Sequence, residues 1–165
     1  MKCTIKILIG VCLVLAIATG IILAVTGRPS GAQPDFVPPE FDLNAVAGTP
    51  TVPENLGWYE VYKTGMSFKA SVCGEIKIKD KTAKIYFTSP QENTLWLKLR
   101  ILNEKGEVLG ETALIKPGEY VPEITFETLP KNGEKIILKL MSYQPETYYS
   151  GGSASLTTVA QIEGD

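Results

Sequence analysis

Few residues in this chain could do chemistry, and their types narrow the possibilities at once. The 165-residue sequence has no histidine. That removes the commonest general base and zinc ligand, and with them Ser-His-Asp and Cys-His nucleophilic devices. Beyond residue 12 a single cysteine remains, Cys73. No base stands near it in the sequence, so it reads as a small buried hydrophobe at a strand end. One thiol also forms no disulfide within that region. Carboxylates are plentiful, and Glu104, Glu107, Glu111, Glu119 and Glu123 could in principle supply the acid–base pair of a sugar hydrolase. Their places beside turns and on strand exteriors are those of solvated charges, and no aromatic-lined cleft is evident to hold them. No Asp-rich, ligand-spaced loop speaks for calcium. The expectation is a protein that is not an enzyme, with no catalytic residue, no metal and no cofactor.

Recognition chemistry is better represented. The segment Tyr143-Gln144-Pro145-Glu146-Thr147-Tyr148-Tyr149-Ser150-Gly151-Gly152 places three tyrosines beside flexible glycines. Tyr143, Tyr148 and Tyr149 form a candidate binding loop, since amphipathic rings on a loop make contact area at low entropic cost. The alternative is that Tyr143 ends a strand while Tyr148 or Tyr149 folds over one end of the core. Trp58, Tyr59 and Tyr62 invite the same comparison, with capping of the core as the expected role.

These side chains must be positioned by elements that the apolar pattern defines. From Ile7 to Val25 the chain holds 19 residues without a charge. At about 1.5 Å per helical residue they cover roughly 28 Å, close to the hydrocarbon thickness of a bilayer. A secretory leader has a shorter apolar core, so a retained membrane helix over 7–26 is expected. Cleavage after Gly27 or Ala32 is the alternative. A lipoprotein signal fits poorly, because Val11 precedes Cys12 where a small residue is needed. Lys2 and Lys6 precede the helix, which orients 1–6 to the cytoplasm and the C-terminal part outside the cell. Without those two lysines, 14 of the 16 basic residues face all 18 acidic ones, a net charge of −4. That balance opposes binding of nucleic acid or anionic lipid by the outer part.

After the helix, 27–64 carries six of the eleven prolines. This density predicts an extended extracellular linker without ladder pairing. Its Phe36, Val37, Phe41 and Leu43 are expected to pack on the domain or membrane surface, or else to form a short binding epitope. From about Gly65 the apolar period becomes two. Seven runs follow: Ser67–Ile78, Thr82–Thr88, Leu95–Leu102, Val108–Ile115, Tyr120–Glu127, Lys135–Tyr143 and Ser153–Ile162. In the third, Leu95, Leu97, Leu99 and Ile101 share one face and Trp96, Lys98 and Arg100 the other. Corners are expected at Asp80-Lys81, Asn103–Gly106, Pro117-Gly118 and Pro130–Gly133. The predicted fold over 65–165 is all-β, a single antiparallel β-sandwich of about seven strands and immunoglobulin-like size.

The succession Gly74-Glu75-Ile76-Lys77-Ile78, Ser89-Pro90-Gln91-Glu92-Asn93, Gly106-Glu107-Val108-Leu109, Ile115-Lys116-Pro117-Gly118-Glu119 and Tyr143 to Gly152 resembles small, mostly uncharacterised, membrane-anchored β-sandwich surface proteins of Gram-positive bacteria. Some of those travel with conjugative or other mobile elements. The resemblance covers roughly Val72 to Ile162, with Val72-Cys73-Gly74 departing from the usual aromatic-glycine start. It implies fold and address, and it transfers no catalytic residue. The function expected is a non-catalytic binding or accessory module, single-pass in the cell membrane, with a protein partner at the cell surface. The alternative is a self-assembling component of an envelope or conjugative-transfer complex.

Overall fold

The computed structural model describes residues 36–62 and 64–164. Among them the chain forms ten strands: β1 (Val46–Ala47), β2 (Trp58–Val61), β3 (Ala70–Cys73), β4 (Ile76–Lys79), β5 (Thr82–Ser89), β6 (Trp96–Asn103), β7 (Val108–Glu111), β8 (Glu119–Thr125), β9 (Lys135–Tyr143) and β10 (Ser150–Ile162). The one helical piece among the described residues is a 3₁₀ turn, Glu54–Leu56. The protein is all-β there, as its two-residue period predicts. The expected membrane helix, 7–26, lies outside the described residues. Within them no helix is long and apolar enough to cross a membrane.

Alternation explains why these segments are strands. In β6 every second residue is buried, with Leu97, Leu99 and Ile101 wholly removed from solvent. Ile136, Leu138 and Leu140 of β9 do the same. Each such side chain stabilises the fold by about 1.5–3 kcal/mol relative to exposure. Together with Phe87, Phe126 and Ile85 they form one contiguous core. The corners fall where turn chemistry places them. Asp80 and Lys81 adopt φ of 49° and 64°, the doubly left-handed pair that suits a two-residue hairpin. Gly118 follows Pro117 at φ 79°, as a type II turn requires.

The strands make one curled sheet in the order β1-β8-β5-β4-β10-β9-β6-β7, with β3 pairing β2 and β5 off this path. The curl brings the two ends together. Leu109 of β7 accepts hydrogen bonds from the amides of Glu127 (2.9 Å) and Thr128 (3.2 Å) as the chain leaves β8. Gly110 allows that approach, because a Cβ there would lie 2.7 Å from the Thr125 carbonyl oxygen.

Three expectations are corrected. The sheet is mixed, since Ala160–Ile162 of β10 runs parallel to Ile76–Ile78 of β4; β10 is long enough to pair with β9 and then cross to β4. The strand number exceeds seven because Ser67–Ile78 breaks at Gly74 into β3 and β4, and because β1 and β2 arise within the stretch read as linker. From Pro38 onward that stretch belongs to one compact unit, Pro38–Asp165. Proline bars pairing only where it stands, and neither Val46–Ala47 nor Trp58–Val61 contains one.

Candidate functional site

The outward face of β6 and β9 gathers the most distinctive chemistry of the described residues. Because β6 turns its leucines inward, Trp96, Lys98 and Arg100 must point out. Glu111 on neighbouring β7 takes both cations, at 2.7 Å from Lys98 Nζ and 2.7 Å from Arg100 Nε. Partial burial pushes the Glu111 carboxyl up, but hydrogen bonds and charge from Lys98 and Arg100 outweigh it and hold the group below its ordinary pKa. On the other side of β6, Lys139 of β9 stands directly opposite Arg100. Two cations thus share one carboxylate and a third stands beside them, so the band is positive although the outer part of the chain is acidic overall.

One end of this band is aromatic. Phe41 arrives from the N-terminal stretch, fixed by a parallel bridge to Leu114 with backbone bonds Leu114 N to Glu40 O (3.0 Å) and Asp42 N to Leu114 O (2.8 Å). The Phe41 ring meets Trp96 edge-on at 4.8 Å, and Lys116 Nζ sits 4.6 Å above its centroid. Tyr148 closes the row from the far side, 5.2 Å from Trp96. Its backbone is left-handed, with φ 58°, in a tight loop where Tyr148 N donates to Gln144 O and Gln144 N to Tyr149 O.

The three tyrosines of the candidate binding loop take different places, two of them beside Trp96. Tyr148 packs on Trp96, on a sheet face and not over the end of the core. Tyr143 is half-buried opposite Trp96, its hydroxyl 3.7 Å from Met141 Sδ. Tyr149 projects into solvent, 75% exposed. Phe41 and Lys116 were not singled out by spacing as site residues, and only the apolar character of Phe41 within a polar stretch signalled a surface contact. Trp58 lies elsewhere, donating from Nε1 to the Tyr86 carbonyl at 3.0 Å, where β5 bulges and Tyr86 adopts φ 42°.

The other chemical candidates occupy structural places. Cys73 is buried, and desolvation raises its thiol to about 12, so it stays protonated at neutral pH. Glu107 accepts from Asn103 Nδ2 at 2.6 Å, and Glu119 accepts from the Lys116 amide at 2.8 Å across its turn. Glu123 stands opposite Lys84. Among the described residues no three His, Cys, Asp or Glu side chains converge as metal ligands. No family model matches the chain, and neither curated proteins nor solved structures give a match.

Proposed function

We propose that the domain is a non-catalytic recognition module displayed outside the cell, tethered by a membrane helix over 7–26. The observation that carries this reading is the row Phe41–Trp96–Tyr148, bordered by cations and by the projecting Tyr149. Rings held rigid by one another present contact area with little entropy left to lose, and adjacent cations add a complement for negative charge. Tethering keeps the face at high local concentration near other envelope components. The resemblance to Gram-positive surface proteins supports the address. The finer fold, a sandwich of immunoglobulin-like size, belongs to the same proposal; it is supported by a core drawn from both halves of the curl.

The test is a photoreactive phenylalanine analogue carried at position 149 of the full chain, and at position 84 as control, irradiated on intact cells. Discrete adducts at 149 and none at 84 are expected. Equal adducts at both positions, or a C-terminal domain that external protease reaches only after lysis, would overturn the reading.

The second reading, self-assembly in an envelope or transfer complex, is favoured by one observation. Among the described residues β10 has no ladder partner on its second side until Ala160.

A further inference from the structure

The hairpin of β4 and β5 builds a second polar surface from residues outside the aromatic row. Ile76, Ile78, Ala83 and Ile85 are buried, so the residues alternating with them, Lys77, Lys79, Thr82 and Lys84, stand on the outward face. Ile78 pairs with Ala83 and Lys79 with Thr82. One step further in the same register, Lys77 stands opposite Lys84.

The four side chains mark the corners of a rectangle about 5 Å across the strands and about 7 Å along them. Every corner is a hydrogen-bond donor, three ammoniums and one hydroxyl. All four line a cleft of about 560 Å³, which Pro53, Asn55 and Leu56 line as well. That volume is within the range of small-molecule sites, about 300–1,000 Å³. Lys77 Nζ donates to Asn55 O at 3.2 Å, which fixes one ammonium in the cleft and leaves it further protons to donate.

The positive charge at the centre is not balanced within the protein. Like charges directly opposite one another destabilise a sheet, yet the neighbour of Lys77 on its other side is Gln161 of β10. Among the described residues the ion pairs are those of Glu111 with Lys98 and Arg100, so Lys77, Lys79 and Lys84 have no carboxylate oxygen within 4.0 Å. Carboxylates stand at the margins instead. Glu123 of β8 faces Lys84 from the far side, Glu163 follows β10 with its N–H bonded to Ile78 O at 2.9 Å, and Asp80 sits at the hairpin corner. All three line the same cleft.

We infer that this cleft binds a phosphate ester of a small polyhydroxy compound, with the phosphate over the four donors and the hydroxyls toward Glu123 and Glu163. A tetrahedral oxyanion turns oxygens in several directions and suits separate ammonium point charges. A planar carboxylate is matched better by the fork of an arginine, and the residues lining the cleft include none. Carboxylates at the margin repel a second anionic group and accept hydrogen bonds from hydroxyls, which selects the ester over bare phosphate or polyphosphate. The site goes beyond the aromatic-face reading and stands whether or not that face binds a protein.

The experiment uses the full chain in phosphatidylcholine nanodiscs at low salt, with amide NMR shifts followed as glycerol 3-phosphate is added. Saturating shifts at 77–84 are expected, with none from glycerol and weaker binding of inorganic phosphate. The dissociation constant should rise about tenfold or more in Lys84→Gln and in Lys79→Gln. Without ligand, Lys84→Gln should keep or slightly raise the thermal midpoint, because it relieves the opposition to Lys77. Discs containing phosphatidylglycerol separate the two sources of the ester: shifts already present there assign a lipid headgroup, and shifts that appear only on adding glycerol 3-phosphate assign a free ligand. No shift at 77–84 from either source, or shifts that both lysine variants leave unchanged, overturns the site. A marked loss of stability in Lys84→Gln would overturn it too, by giving the lysines to the fold. Inorganic phosphate bound as tightly as the ester overturns the assignment of the hydroxyls.

Discussion

β6 and β10 flank the same strand, β9, with opposite arrangements on their far sides. β6 is covered by β7 and by the chain beyond it, through Leu97 to Ile115 and Leu99 to Thr112 bonds. Yet it carries Trp96, Lys98 and Arg100 on its outward face. Among the described residues β10 has no ladder partner on that side before Ala160, yet it carries no charge at all. Charge thus stands on the strand that is laddered on both sides and is missing from the strand that, among the described residues, is laddered on one side along most of its length. Charge on β6 follows from face chemistry, since the cations serve Glu111 and border the aromatic row.

The largest test of this contrast lies in the core. Leu99→Ala on β6 should lower stability by about 2–5 kcal/mol, read from the denaturant midpoint, because it empties a fully enclosed site. Leu156→Ala on β10, half-buried in the single chain, should cost under about half as much at low protein concentration. Equal costs would mean that β10 is no less enclosed than β6. Next comes the seam that covers the far side of β6. Gly110→Val should cost about 1–3 kcal/mol by overpacking, since the obstacle is the Thr125 backbone and cannot rotate away; a neutral result would show that the seam is loose. The smallest effect is electrostatic. Glu111→Gln should remove less than about 1 kcal/mol, as the partners are partly exposed. The Glu111 pKa is lower folded than unfolded. Its contribution is therefore present above the unfolded value of about 4.3 and is lost as pH falls through the folded one. The difference between wild type and variant should shrink over that window, and a constant difference would show that the ion pairs do not couple to folding.

Local rules made much of this molecule readable. Alternation in Leu95–Ile101 and Lys135–Tyr143 identified β6 and β9 together with their inward faces, and turn residues located the corners at Asp80-Lys81 and Pro117-Gly118. The packing of Phe41 on the domain surface was among the open alternatives, whereas the docking of Tyr148 on the outward face at Trp96 was not. The pairing of β1 and β2 was hidden, because strands of two and four residues between prolines show too little period to register.

By itself, then, the amino-acid order determined strand character, the buried side of each strand, the places of the turns and the want of histidine-based chemistry. Each of these follows from neighbours within a few residues. Only the tertiary structure decided that Phe41, Trp96 and Tyr148 would meet, and that β10 would cross from β9 to β4. Those outcomes depend on contacts between segments tens of residues apart, where pairing geometry and shared burial select the partner and local periodicity is silent.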